Sequence, residues 1–335
     1  MKERILITGG AGFIGTYLTR ELLSRNKSVI VLDDLSTGLS VNLDEFKGNP
    51  SFEYHIDTFM NEPLLAELID RADQVVHLAA AVGVMLIVED PVRTIETNIM
   101  GSELVFRHAR KKKKSVLVAS TSEVYGKSTS FPFNEEADVV LGATNKSRWA
   151  YAASKMIDEF LGLAYQQQYG LPVRIVRFFN TVGPGQVGHY GMVVPRLVTQ
   201  ALKGQALTVF GDGQQRRCFG YVGDVVRGVA DLLNCEEAIG QVVNLGNDQE
   251  ISILALAEKI NELTGNEAGI EFIPYSKAYG KGFEDMSRRI PDISKAEKFI
   301  DFKVTTQIDE ILKRVIERLS KEIVFSNGAG GQEVS

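Results

Sequence analysis

Along the first two-thirds of the chain, short apolar runs alternate with longer stretches of helical periodicity. Residues 4–8, 28–32, 74–79, 115–120 and 173–178 are each of strand length and mostly apolar. Between them, residues 15–24, 94–109 and 151–169 repeat their apolar positions at helical spacing. Continuous apolar strands alternating with helices predict an α/β fold, a doubly wound parallel sheet covered on both faces. After Asn180 the rhythm changes. A Gly-rich stretch over 181–191 precedes a helix expected at 195–203, a turn at Gly211-Asp212-Gly213, and mixed elements ending in a helix-like segment at 307–322. The pattern divides the chain into a larger α/β domain over 1–180, with returns to the sheet near 220–245, and a smaller mixed α/β lobe over 181–325. The Gly-rich tail 326–335 is expected to be disordered, and no internal repeat is visible.

Composition narrows the function classes. The 335 residues are 44% hydrophobic and 24% charged, with a net charge of −6, which gives no overall attraction for nucleic acid or an anionic membrane. Any phosphate-bearing ligand must be held by local groups. Two cysteines, Cys218 and Cys235, make no disulfide framework, and no Cys/His cluster has metal-ligand spacing, so no metal is expected. The N-terminus enters a strand at once, and no run suits a signal peptide or a membrane span. A cytoplasmic protein is expected. The lysine run 111–114 reads as a helix C-terminus, where cations suit the macrodipole.

Gly9, Gly12 and Gly15 stand in Thr8-Gly-Gly-Ala-Gly-Phe-Ile-Gly15, directly after the first strand and opening the first helix. Glycines there let the backbone turn tightly and approach a pyrophosphate seated on the helix N-terminus. An acidic residue should follow about 20 positions on. Asp33 is there, with Asp34 beside it. A carboxylate at that place binds ribose hydroxyls and repels a 2′-phosphate, so NAD is favoured over NADP.

Tyr151 and Lys155, four apart on a predicted helix, share one face. A free tyrosine has a pKa of about 10. A neighbouring ammonium should favour the phenolate and make the phenol a usable base. Together with His77-Leu-Ala-Ala80, Asn98-Ile-Met-Gly101, the stretch Ser120 to Gly126, Phe179-Asn180 and Arg217, these motifs resemble the extended short-chain dehydrogenase/reductases. That family includes nucleotide-sugar epimerases, dehydratases and decarboxylases. The likeness runs from residue 1 to about 300.

The resemblance implies that Thr121 bonds the reacting C4 hydroxyl beside Tyr151, that Lys155 also holds the nicotinamide ribose, and that Glu123 joins these three in the catalytic set. It puts Asp57 and Thr58 at the adenine. Phe13, Ile14, Leu78, Ala79, Ala80, Asn98 and Phe178 would line the dinucleotide groove. On the substrate side it implies Ser122, Asn180, Val194, Val209, Phe210 and Arg217, a guanidinium being suited to phosphate oxygens. Arg288 or its neighbour Arg289 would add a cation, and Arg288 is the residue named. His77 is given no chemistry. A UDP-sugar substrate and a homodimer complete what the family implies. The segments 94–109 and 151–169 also carry apolar residues on more than one face, which a partner subunit would bury.

All such enzymes begin by oxidising the sugar at C4. A 4,6-dehydratase carries Asp-Glu after the threonine, whereas this chain has Ser122-Glu123, and serine is a poor proton donor for a leaving C6 hydroxyl. Thr121-Ser122-Glu123, Arg217 and Arg148-Trp149-Ala150-Tyr151 match the UDP-glucuronate decarboxylase pattern. The loop from Gly188 to Pro195 is closer to UDP-hexose and UDP-glucuronate 4-epimerases, with His189 where an arginine often stands. Histidine is a weaker partner for a uronate carboxylate. The reading placed first is 4-epimerisation, with decarboxylation second. A non-catalytic NAD-binding regulator is the alternative outside enzymes, disfavoured by the intact Thr121, Tyr151 and Lys155 set.

Overall fold

The computed structural model describes residues 2–81, 90–188, 192–274, 277, 286 and 288–329. Seven parallel strands form one sheet: β1 (Arg4–Thr8), β2 (Ser28–Asp33), β3 (Phe52–Ile56), β4 (Gln74–His77), β5 (Ser115–Thr121), β6 (Val173–Phe178) and β7 (Val242–Leu245). Their spatial order is β7-β6-β5-β4-β1-β2-β3, so the chain winds outward from β1 in one direction and from β4 in the other. This is the Rossmann-type arrangement expected from the pattern. β3 escaped the pattern because it is an edge strand: Phe52-Glu-Tyr-His-Ile56 is only partly buried and interleaves polar residues.

The helices are α1 (Phe13–Ser24), α2 (Glu62–Arg71), α3 (Pro91–Lys111), α4 (Ala150–Tyr169), α5 (Val193–Leu202), α6 (Val222–Leu232), α7 (Ile253–Thr264), α8 (Ser294–Ile300) and α9 (Ile308–Ala329). On one face of the sheet, Leu18 and Leu22 of α1 meet Val226 and Val229 of α6 over Val31 and Val76. On the other, Leu65 and Leu68 of α2 and Val105 and Phe106 of α3 cover Leu6, Ile30, Val116 and Ile175. Alternate strand residues thus feed two cores, which is why these strands read as unbroken apolar runs. A third core belongs to the smaller lobe, where Leu197, Val209, Leu256, Ile260, Ile311 and Leu312 pack together. Ala296 and Phe302 join the sheet's core, so the chain returns to the sheet near residue 300 as well as at β7. α9 continues past Ser326 to Ala329, where a disordered tail was expected to begin. No proline or glycine lies between Glu322 and Asn327 to stop a helix.

The lysine run ends α3, and three of its members find local partners, Lys111 reaching His108 Nδ1 at 3.2 Å. Lys112 pairs with Asp70 at 2.9 Å and Lys114 donates to the Ala72 carbonyl at 2.5 Å. Among the described residues no helix is long and apolar enough to cross a membrane.

The β1–α1 turn demands its glycines. Gly9 has φ +76°, and a Cβ on Gly15 would lie 2.3 Å from the Gly9 carbonyl oxygen and 2.6 Å from Gly10 Cα. Gly15→Ala should therefore push turn and helix apart, at about 1–3 kcal/mol for an overpacked contact. Thermal unfolding should show a midpoint lower by about 5 °C; an unchanged midpoint would show that the turn yields freely.

Candidate functional site

β1 and β4 are neighbours whose connections leave on opposite faces, opening a crevice at the C-terminal ends of the strands. A cavity of about 790 Å³ occupies it and extends under the smaller lobe. Gly9, Gly12 and Gly15 line one end together with Phe13 and Ile14. Asp33 and Asp34 stand at the end of β2, and Thr58, Leu78, Ala79, Ala80 and Phe178 form the flanks. Asp33 is fixed rather than mobile: its carboxylate accepts the N–H groups of Ala11 at 2.9 Å and Leu35 at 2.8 Å.

Asp57, Asn98 and Val209, expected as ligands of this groove or its neighbour, do not line the cavity. Asp57 accepts from Thr58 N at 2.7 Å and Asn61 Nδ2 at 2.8 Å, so it shapes the loop that presents Thr58. Asn98 is buried; its Oδ1 accepts from Ala81 N at 2.8 Å and its Nδ2 donates to Ser154 at 3.0 Å, bracing the loop after β4 against α4. Val209 packs inside the small lobe while Phe210, next along the strand Leu207–Phe210, lines the cavity. Alternation along a strand separates the two.

At the cavity's middle, Thr121 ends β5 and its hydroxyl caps the following turn by accepting from Glu123 N at 3.2 Å. Ser122 and Glu123 follow in that turn, and Tyr151 and Lys155 face it from α4. Tyr151 shares a hydrogen bond with Thr121. The phenol is nevertheless pushed above its ordinary value, by burial first and then by the negative charges of Glu123 and Asp158. This corrects the expectation that Lys155 lowers it. The Lys155 ammonium donates instead to Asp158 Oδ2 at 2.7 Å, with both side chains out of solvent. His77, buried and hydrogen-bonded to Thr8 at 2.7 Å, is driven down to about 3 by burial and by Lys155, and so stays neutral.

Glu123 carries the strongest electrostatic feature of the site. Arg148 Nη1 lies 2.6 Å from its Oε2 and Arg289 Nη1 2.5 Å from its Oε1. Burial alone would raise this carboxyl, but Arg289 and then Arg148 outweigh it and hold it at about 2. Arg289, not Arg288, is therefore the inward residue of the pair. Arg288 lies across Phe131 and makes a bidentate bond to Glu250, at 3.0 and 2.6 Å, outside the cavity. Adjacent residues on an extended segment point apart, which is what sequence alone left open. Arg148 stood in the motif before Tyr151 but was given no place in the site; only the fold brings it to Glu123.

On the substrate side, Asn180, Val194, Phe210 and Arg217 line the cavity as expected. Asn180 Nδ2 donates to the Cys218 carbonyl at 3.2 Å and so ties the end of β6 to the strand that carries Arg217. His189 lies outside the described residues. Among the described residues no group of His, Cys, Asp and Glu could hold a metal ion.

The family model described as GDP-mannose 4,6 dehydratase matches residues 6–315. The chain belongs to the nucleotide-sugar epimerase/dehydratase group of the extended short-chain dehydrogenase/reductases. Within this family, it is 42% identical to UDP-N-acetyl-alpha-D-glucosaminuronate decarboxylase of Bacillus cytotoxicus, over 95% of this chain and 98% of that one. It is 37% identical to UDP-glucuronic acid decarboxylase 1 of Danio rerio, over 96% of this chain and 74% of that one. Among solved structures, UDP-glucuronic acid 4-epimerase from Bacillus cereus, in complex with UDP-glucuronic acid and NAD, superposes with a TM-score of 0.86. It is 27% identical, over 95% of this chain and 99% of that one.

The ion-pair cluster of this family member predicts a pH-dependent stability. A carboxyl near 2 when folded and about 4.3 when unfolded contributes stability that is full above the unfolded value and lost as pH falls through the folded one. Arg148→Met leaves Glu123 one cation short, which should cost about 3 kcal/mol at neutral pH. Denaturant unfolding should show this gap narrowing between about pH 4 and pH 2. A gap that does not change with pH would mean that Arg148 acts only by packing.

Proposed function

We propose that this protein is a nucleotide-sugar decarboxylase acting on a UDP-hexuronate, and that the Glu123 cluster with its two buried arginines is what carries the reading. Arg148 and Arg289 both pair with Glu123, and a guanidinium is suited to carboxylate oxygens. Two such cations beside Thr121 and Tyr151 suit a sugar bearing a carboxylate at C5. The decarboxylases at 42% and 37% identity support the same choice, over the 4-epimerase reading that the sequence motifs placed first.

The cofactor is NAD. The turn glycines, which leave room where a Cβ would intrude, and the immobilised Asp33 fit its pyrophosphate and adenine ribose. When bound it supplies the hydride acceptor and donor for C4. Tyr151 takes the C4 hydroxyl proton, guided by Thr121, and a 4-keto sugar results. Its C5 carboxylate is then β to a ketone. The C5–C6 bond breaks, CO2 leaves with its two oxygens, and the bond's electron pair moves into the C4 carbonyl as an enolate. Arg148 and Arg289 offset that negative charge. A proton derived from solvent then adds at C5, and Tyr151 returns its own to O4 when C4 is reduced. Asn180, Phe210 and Arg217 hold the nucleotide diphosphate in this reading.

Purified protein should convert UDP-glucuronate, or its 2-N-acetyl counterpart, to a UDP-pentose with release of CO2. In D2O, NMR should show deuterium at C5 of the product. Tyr151→Phe should cut turnover at least ~100-fold, and Glu123→Gln should also cost orders of magnitude, with 4-keto sugar accumulating. A product that keeps its carboxylate, is inverted at C4 and carries no deuterium at C5 would restore the epimerase reading.

We also infer a homodimer. Val92 and Met100 on α3 and Ile157 and Phe160 on α4 are exposed, Phe160 at 65%, on two helices that pack together. A two-fold pairing of these helices would cover them. Sedimentation should give a dimer, and Phe160→Asp should shift it to monomer; a wild-type monomer at all concentrations would refute the pairing.

A further inference from the structure

The carboxylate that holds Lys155 is not used by the reaction just described. Tyr151, Lys155 and Asp158 stand at positions i, i+4 and i+7 of α4, one face of one helix. A single cation therefore lies between a phenol and a carboxylate. The ion pair between Lys155 and Asp158, at 2.7 Å, is buried on both sides. From the surrounding elements, β4 contributes neutral His77. α3 contributes the buried Ser102, whose hydroxyl lies near Asp158. The turn after β5 contributes Glu123. From α4 itself comes Glu159, engaged by Arg177 at 2.9 and 2.7 Å. The guanidiniums of Arg148 and Arg289 line the same cavity and pair with Glu123, whereas the Lys155 ammonium, one helical turn from Tyr151, is bonded to Asp158.

We propose that Asp158 is a positioning residue that holds the Lys155 ammonium on its own side and so governs how readily Tyr151 gives up its proton. In a poorly solvated site an opposite charge nearby moves a titration by about 1–3 units. A carboxylate bonded to that charge cancels much of the effect, and adds repulsion of its own to the phenolate. The resting enzyme thus keeps Tyr151 as a neutral phenol. The base becomes effective only as the sugar hydroxyl and the cofactor change the balance around Lys155. Proton transfer itself remains between the C4 hydroxyl and Tyr151; Asp158 touches neither. The inference rests on Tyr151 as the base in the proposed function, and not on what becomes of the keto sugar.

Asp158→Asn keeps the side chain's size and removes its charge. The acid limb of the pH dependence of kcat should move to lower pH by about one unit or more. A second readout needs neither substrate nor NAD. The phenolate absorbance difference between Asp158→Asn and Asp158→Asn/Tyr151→Phe should appear at lower pH than that between wild type and Tyr151→Phe. Coincident pH profiles and coincident titrations would overturn the proposal, leaving Asp158 a packing residue. Should Asp158→Asn not fold, Asp158→Ser makes the same comparison with a hydroxyl beside the ammonium. Wild-type turnover in Tyr151→Phe would instead defeat the assignment of the base, and the absorbance comparison would still judge Asp158 by itself.

Discussion

Strands β1 and β4 lie side by side, yet their connections must leave the sheet on opposite faces, and everything else in the molecule is arranged around the gap this leaves. The gap cannot be filled by the sheet's own crossovers. It lies at the C-terminal ends of the strands, where the β1–α1 turn places backbone N–H groups at a helix start. Whatever ends β2, β5 and β6 is aimed at the same place: Asp33, Thr121 and Phe178 all line it. The smaller lobe then needs only to roof the far half, which it does with Val194, Phe210 and Arg217 from three separate elements.

Roofing such a gap removes water from charged groups, and the structure answers with close pairing. Glu123 is held by two arginines, Lys155 by Asp158, and Glu159 by Arg177. An unpaired charge at any of these places would be costly. The pairs also link parts of the fold distant in sequence. The Glu123 cluster joins the end of β5 to the start of α4 and to the segment before α8. The Glu159–Arg177 pair, with Ser120 bonded to Glu159, clamps β5, β6 and α4 at the level of Thr121. Tyr125 lies over this clamp, with the Arg177 guanidinium 4.7 Å from its ring, and donates to Asn244 of β7 at 2.8 Å. Electrostatics here sets geometry as much as chemistry.

How much of this the sequence disclosed follows from the range of each interaction. The glycine turn, Asp33 and the Tyr151/Lys155 spacing are local, so periodicity and a motif of a few residues were enough to place them. The parallel sheet covered on both faces follows from the alternation of strand and helix, whereas the order of its strands came only with the structure. Arg148 and Arg289 were illegible because their partner, Glu123, comes from a different element, and no spacing along the chain encodes that meeting. Arg288 was named in place of Arg289 because neighbouring arginines are indistinguishable until the backbone assigns each a side. Val209 is a different failure: strand alternation between Val209 and Phe210 was available and separates core from cavity. Asp158 was also within reach, three residues after Lys155, but its burial was not, and burial is what turns an ordinary helical ion pair into a restraint on the base.

Charge balance bears on the substrate as well. Glu123, Arg148 and Arg289 meet in a region with little solvent. In the proposed reading a uronate would set its carboxylate beside this cluster. Loss of CO2 from the 4-keto acid would move the negative charge from that carboxylate to the enolate, a few bonds away and still beside the same arginines. The total charge in the site would then be the same before and after the C5–C6 bond breaks, and no ion would be stranded in a poorly solvated space. A uronate epimerase would share that placement of the carboxylate but would not need the charge to move. There the arginines would have to keep the C5–C6 bond in the plane of the C4 ketone, where its electron pair cannot enter the carbonyl. In the proposed reading, two guanidiniums anchored to one glutamate, from α4's leading turn and from the segment before α8, would fix the substrate carboxylate's direction from two sides. That direction would decide whether CO2 can leave.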